Sequence, residues 1–157
     1  MKRVIIQSVS SIILYILMAF TIASFASTVT HSLAALQSGV FVLEFNFLPF
    51  LLLIIFFIVW TIYSFRTRPN QQMSFGQWSV RMTEFSEVDE REALITAKAT
   101  KAAYVSFSIS VPLSMLTFFF YPLFQTAWPT YPVFALVSTL IIANLVYMTT
   151  WIRAYTR

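Results

Sequence analysis

The sequence has no cysteine, two glycines, one histidine and only six acidic residues among 157. Without cysteine it cannot form disulfides, thiolate metal sites or dithiol redox centres. Charged residues make up 10% of the chain, whereas a typical soluble domain has about 25%. The sequence also has no phosphate-binding loop, nucleophile elbow or histidine-glutamate zinc helix. We therefore expect no enzyme activity, no cofactor and no metal site.

Four long apolar stretches dominate the chain, at residues 4–26, 47–65, 102–124 and 131–152. At about 1.5 Å of rise per residue, each helix would be long enough to cross a hydrocarbon core of about 30 Å. Their length and the scarcity of glycine favour helices over the shorter alternating strands of a membrane barrel. The sequence predicts an all-α integral membrane protein, with residues 1–157 forming one four-helix bundle.

The basic residues predict the orientation of this bundle. All ten precede span one, lie in the loop 66–101, or follow span four: Lys2, Arg3, Arg66, Arg68, Arg81, Arg91, Lys98, Lys101, Arg153 and Arg157. Basic residues near membrane segments stay on the cytoplasmic side, so both termini are predicted to be cytoplasmic. Membrane insertion explains the net charge of +4, and we expect no nucleic-acid partner. The start of the chain resembles a signal peptide, but its apolar run is longer than the usual core, which favours a retained span.

The densest polar segment precedes span three. Acidic residues there suit the first turn of a helix, and we expect this helix to start near residue 87 and continue into span three. A solvated helix start accounts for such a cluster, and the functional alternative is a docking surface for a protein partner. The candidate docking residues are Glu87, Asp89, Glu90, Arg91 and Glu92.

Polar residues inside the spans are few. Ser106, Ser110 and Ser114 follow one another at steps of four in span three, and Asn144 lies deep in span four. We expect an intramembrane polar contact between this serine stripe and Asn144, because an unpaired amide is costly in lipid. The functional alternative is that Asn144 lines a cavity for a ligand or an ion. No span carries a deep charge, which argues against a proton-coupled pump.

The outer connection, residues 27–46, is harder to interpret. One or two helical turns are possible at 32–37, and Asn46 with Pro49 predicts the start of the second helix. His31 could pair with Glu44 as a proton sensor, but a single histidine is a weak signal for metal binding or catalysis.

The run Asp89-Glu90-Arg91-Glu92, followed by Ile95, Lys98 and Ala99 and then an apolar span, resembles a motif of small uncharacterised bacterial multi-spanning membrane proteins. In those proteins an acidic-Arg-Glu loop helix likewise precedes a span. The resemblance implies a location in the bacterial inner membrane and a shared role for the helix start. It identifies no functional residue, because those proteins have no established activity.

Together these features favour a non-enzymatic interaction protein: an accessory, regulatory or immunity-type membrane subunit. Its partners would be the lipid bilayer and either another membrane protein or a second copy of the chain. The alternative is a small-molecule or lipid transporter, or a pore, formed by oligomerisation. An intramembrane enzyme is a third hypothesis, which a cluster of His31, Glu44 and a metal would support.

The absence of cysteine allows the orientation to be tested with single introduced thiols. In intact cells, a membrane-impermeant maleimide should label Thr126→Cys, in the outer turn, but should label Asn70→Cys only after permeabilisation. Labelling of Asn70→Cys from outside would contradict the predicted orientation.

Overall fold

A computed structural model describes residues 2–37, 46–67, 74–76 and 90–156, with the side chains of 34–37 excepted. Four long helices account for most of these residues: α1 (Lys2–Gln37), α2 (Leu48–Arg66), α3 (Glu90–Phe124) and α4 (Tyr131–Tyr155). All four are long and apolar enough to cross a membrane. The prediction of an all-helical chain with four candidate spans is therefore confirmed.

The main contacts place the helices in the order α2, α1, α4, α3, with α1 and α4 in the middle. Neighbours in this order run antiparallel. The Arg3 guanidinium donates to the carbonyl of Thr67, and the Thr21 hydroxyl donates to the carbonyl of Pro49 at 3.2 Å. The rings of Phe20 and Phe134 lie 5.6 Å apart, between α1 and α4.

This arrangement brings the start of α1, the end of α2, the start of α3 and the end of α4 to one side, which we call the basic end. A cluster of buried side chains packs there. Val4 of α1, Ile95 and Ala99 of α3, and Tyr147 and Trp151 of α4 form it. Three helices therefore meet at the basic end. Whether this end faces the cytoplasm remains a prediction.

Helix α1 continues well beyond the predicted span 4–26, through Gln37. Its hydroxyl groups explain how a polar sequence stays helical there. Thr28 donates to the carbonyl of Ser24 at 3.1 Å, and Ser32 donates to that of Thr28 at 2.9 Å. These bonds satisfy the side chains within the helix itself. The turns expected at 32–37 are thus the end of α1, whereas residues 38–45, with Gly39 and Glu44, lie outside the described residues.

The start of α2 agrees with the sequence interpretation. The Asn46 side-chain oxygen accepts a hydrogen bond from the backbone N–H of Leu48 at 3.1 Å. Pro49 follows in the first turn, where its missing N–H has no helical partner to lose.

Helix α3 runs without interruption from Glu90 to Phe124, through Pro112 and Pro122. The polar segment before residue 102 and the apolar stretch after it therefore form one helix. At its far end, Tyr121 and Phe124 of α3 pack against Tyr131 of α4, with centroids 6.1 and 5.0 Å apart. Aromatic packing closes the short turn between α3 and α4.

Among the described residues Trp151 has the largest fully buried side chain, and its indole Nε1 donates to the Thr96 hydroxyl at 3.3 Å. Thr96→Val removes the acceptor while keeping the shape, and leaves a buried N–H unpaired. We expect the free energy of unfolding in detergent to fall by about 1–3 kcal/mol. Thr100→Val, at an exposed position one turn further along α3, is the control and should have little effect. Equal effects of the two substitutions would contradict the role of this hydrogen bond.

Candidate functional site

The first turn of α3 carries three of the predicted docking residues: Glu90, Arg91 and Glu92. Glu90 and Arg91 are exposed, and Glu92 is half-buried. Glu87 and Asp89 lie outside the described residues. The acidic start of the helix is therefore accessible at the basic end.

Arg91 contacts α4, an interaction that the sequence interpretation did not predict. Its guanidinium donates to the backbone carbonyl of Tyr155 at 3.4 Å and lies 5.8 Å from the centroid of the Tyr155 ring. The Tyr155 ring in turn stacks on Trp151, with centroids 5.0 Å apart and an interplanar angle of 13°. Arg91, Tyr155 and Trp151 thus connect the exposed start of α3 to the buried cluster, and we call them the α3–α4 corner.

Cations and aromatic faces attract each other through the ring quadrupole, by about 0.5–1 kcal/mol at exposed sites. This attraction and the carbonyl contact hold the first turn of α3 against the end of α4. The carboxylates of Glu90 and Glu92 are consequently carried on a helix whose position is fixed by tertiary contacts. Such a surface can bind a cationic partner segment with little loss of conformational entropy.

A second polar feature lies among the helices, further from the basic end. It comprises buried or half-buried residues of α1, α2 and α4, which we call the polar layer: Gln7, Ser8, Ser11, Trp60, Thr61, Ser64 and Asn144. Gln7, Ser8 and Ser11 are among the most buried polar residues that the structure describes.

The antiparallel contacts place these residues at one level. Between α1 and α2, Arg3 contacts Thr67 and Thr21 contacts Pro49. Seven residues away from the basic end along each helix, starting from the first pair, Ser10 lies opposite Trp60. Between α1 and α4, Phe20 contacts Phe134. Ten residues towards the basic end along each helix, Ser10 lies level with Asn144. Since a helix rises about 1.5 Å per residue, the layer lies about 9–14 Å from Arg66 and Arg153.

Three atoms of the polar layer are buried and have no hydrogen-bond partner among the described residues. They are the indole Nε1 of Trp60, the hydroxyl Oγ1 of Thr61 and the amide Oδ1 of Asn144. Water is absent from a hydrocarbon core, so such atoms are costly unless another group pairs with them. The layer therefore combines a donor, an acceptor and a hydroxyl that can be either.

The predicted contact between the serine stripe and Asn144 has no support in the hydrogen bonds around it. Ser110 donates to the carbonyl of Phe107, within its own helix, at 3.3 Å. The hydroxyl of Ser114 is buried and has no hydrogen-bond partner within the described ranges. The same is true of Asn144 Oδ1. Ser106 is half-buried. The contact stays a prediction.

His31 is exposed near the far end of α1. No group of three potential metal ligands occurs within the described part of the chain. The proposed partner Glu44 lies outside that part, so the pairing remains untested.

Sequence reasoning missed Trp60 and Thr61, since aromatic and threonine residues are ordinary near a helix end. A usable signal was present, however. Gln7, Ser8 and Ser11 lie four to eight residues from Arg3, and Trp60 and Thr61 lie six and five residues from Arg66. Because consecutive spans are antiparallel, equal counts from the basic end predict a shared level.

Comparison with known proteins found a bacterial relative. The chain is 33% identical, over 112 residues, to a Bacillus subtilis protein described as the uncharacterised lipoprotein YgaO. The match covers 71% of this chain and 68% of that protein. No protein-family model matches the chain, and no solved structure matches it. The similarity supports the expected likeness to a small bacterial protein, and the description of the relative as a lipoprotein agrees with membrane association.

Replacing Asn144 tests whether its amide is a cost to the fold. Asn144→Leu removes a buried, unpaired oxygen at similar volume, so the free energy of unfolding of the ligand-free protein should rise by about 1–3 kcal/mol. The measurement is thermal unfolding in detergent. Ser138→Ala, on the exposed side of the same helix, should change little. A marked loss of stability in Asn144→Leu would show that the amide is paired in the native state.

Proposed function

The chain belongs to the family of the Bacillus subtilis protein YgaO, and from this premise we propose that it is a non-enzymatic interaction protein of the bacterial inner membrane. It would act as an accessory, regulatory or immunity-type subunit, with both termini in the cytoplasm. The observation that carries the proposal is the α3–α4 corner, through which Arg91, Tyr155 and Trp151 hold an acidic helix start in place.

The apolar helices support the proposed location. The relative is described as a lipoprotein, but the present sequence contains no cysteine on which a lipid could be attached through sulfur. We propose that the four helices themselves hold this chain in the bilayer. Anionic headgroups of the inner leaflet would then surround the basic end and attract its lysines and arginines.

The partner surface is the acidic start of α3. Glu90 is exposed and Glu92 is half-buried, and the contacts of Arg91 with Tyr155 hold this helix start against α4. A complementary partner would be another membrane or cytoplasmic protein with a basic segment, because opposite charges steer association and select partners.

Substituting the acidic residues tests this role. Asp89→Ala, Glu90→Ala and Glu92→Ala together should reduce co-purification of the partner by about tenfold or more, since several charge contacts are lost. Insertion and amount in the membrane should stay unchanged. The amide variant with Asp89→Asn, Glu90→Gln and Glu92→Gln is the matched control for charge and should behave like the alanine variant. Unchanged co-purification, measured by mild-detergent pull-down with mass spectrometry, would refute the proposal.

A second candidate is a transporter or pore for small molecules or lipids, formed by oligomerisation. The observation that favours it is the set of unpaired atoms in the polar layer, on Trp60, Thr61 and Asn144. A transported solute could provide the missing hydrogen bonds during its passage. The interaction role ranks first because it requires neither a continuous path across the bilayer nor a driving force.

A further inference from the structure

The outer face of α3 carries two exposed lysines, Lys98 and Lys101, which the docking proposal does not involve. On the inner face of the same turns, Ile95 and Ala99 are buried in the cluster at the basic end. Residues three apart on a helix are neighbours, so the two side chains start one turn apart on the exposed side of α3, and we call them the lysine pair. Like charges at this spacing repel each other, and an anion held between them would remove this cost.

The lysine pair lies deeper than Arg153, a cation of the neighbouring helix. Helices α3 and α4 are antiparallel, and Trp151 contacts Thr96. Arg153 lies two residues beyond Trp151 towards the basic end, whereas the lysines lie two and five residues beyond Thr96 in the opposite direction. At about 1.5 Å per residue, the lysines are about 6 and 10 Å further from the basic end than Arg153. They therefore stand where the polar start of α3 meets its apolar stretch.

No acidic side chain within the described ranges is placed to neutralise the lysine pair. Glu90 and Glu92 are at least six positions earlier on the same helix, beyond the three- or four-residue spacing of helical ion pairs. The other three helices contain no Asp or Glu. Cations at the edge of the hydrocarbon that lack a counter-charge from the protein favour an anion from the bilayer.

Beyond the lysine pair, towards the far end of α3, the same side of the helix is apolar and exposed. Leu116 and Phe119 each follow one member of the pair by 18 residues, which is about five full turns. Their side chains are 64% and 83% exposed, and Val105 on the same side is 49% exposed. We call these three residues the apolar stripe. Tyr104, three residues after Lys101, is also exposed and adds a hydroxyl donor where the stripe begins.

We propose that this side of α3 binds an anionic phospholipid from the bilayer. The lipid phosphate is held between Lys98 and Lys101, Tyr104 donates a further hydrogen bond, and an acyl chain lies along the apolar stripe. A zwitterionic headgroup fits less well, because the lysine pair repels its choline or ethanolamine cation. The site rests on the proposed membrane location but not on the docking role of the acidic start of α3.

Native mass spectrometry of the full chain in a mild non-ionic detergent tests the site. Dioleoyl phosphatidylglycerol is titrated into the protein, and dioleoyl phosphatidylcholine, which has the same acyl chains, is the comparison. We expect one molecule of phosphatidylglycerol to bind at least about tenfold more tightly than phosphatidylcholine, because the lysine pair attracts its net negative charge. Inorganic phosphate at the same concentration should not displace the lipid, because it has no acyl chain to cover the apolar stripe.

Paired substitutions separate this site from a diffuse attraction to the basic end. Lys98→Gln with Lys101→Gln should weaken the binding of phosphatidylglycerol by about tenfold or more, since two charge contacts are lost. The matched control, Lys2→Gln with Arg153→Gln, removes the same charge from exposed positions at the same end. It should change the affinity by less than about twofold, because more distant charges are screened. Lys98→Arg with Lys101→Arg keeps the charge and should retain binding.

The lipid site and the docking surface are tested separately. Glu90→Gln with Glu92→Gln, which removes charge from the docking surface, should leave the binding of phosphatidylglycerol unchanged. Helical content and elution volume confirm that each variant is folded. Equal binding of the two lipids, an equal loss in the two charge-removing variants, or displacement by inorganic phosphate would overturn the proposal. A co-purified protein, rather than phospholipid, that is lost on substitution of the lysine pair would also overturn it.

Discussion

The burial of Trp151 is the constraint on which the basic end of the structure depends. Its side chain is 1% exposed, donates to Thr96 of α3, and packs in the cluster that includes Val4 of α1. One residue near the end of α4 thereby determines how the starts of α1 and α3 are placed. Through Tyr155 it also determines where Arg91 lies, and with it the acidic surface.

Hydrogen-bond satisfaction in lipid explains much of the rest. Along most of the helices, threonine and serine hydroxyls donate to carbonyls one turn earlier, which allows a polar sequence such as 27–33 to remain helical. The polar layer departs from this pattern, because the buried polar atoms of Trp60, Thr61 and Asn144 have no hydrogen-bond partner among the described residues.

Much of the fold could be predicted from the sequence, because apolar length and capping residues act locally. The four helices follow from apolar runs of sufficient length, and Asn46 with Pro49 indicated the start of α2. The outer part of α1 could not be predicted, since its polar composition hides hydroxyls that bond within the helix. Arg91 was expected to belong to the acidic cluster, but its contact with Tyr155 depends on tertiary packing of residues 64 positions apart. The docking residues Glu90, Arg91 and Glu92 were predicted as a local helix start. Of the polar layer only Asn144 was predicted, because the grouping of its other members depends on which helices are neighbours.

The arrangement of helix ends is the central claim, because both the acidic surface and the polar layer depend on it. Double electron–electron resonance between pairs of spin labels measures it directly. One doubly labelled variant carries Lys2→Cys and Thr156→Cys, and the other carries Lys2→Cys and Thr130→Cys. The 25 residues of α4 separate its two ends by about 37 Å. The structure predicts that the 2–156 distance is clearly the shorter of the two. A 2–130 distance equal to or shorter than the 2–156 distance would contradict the account.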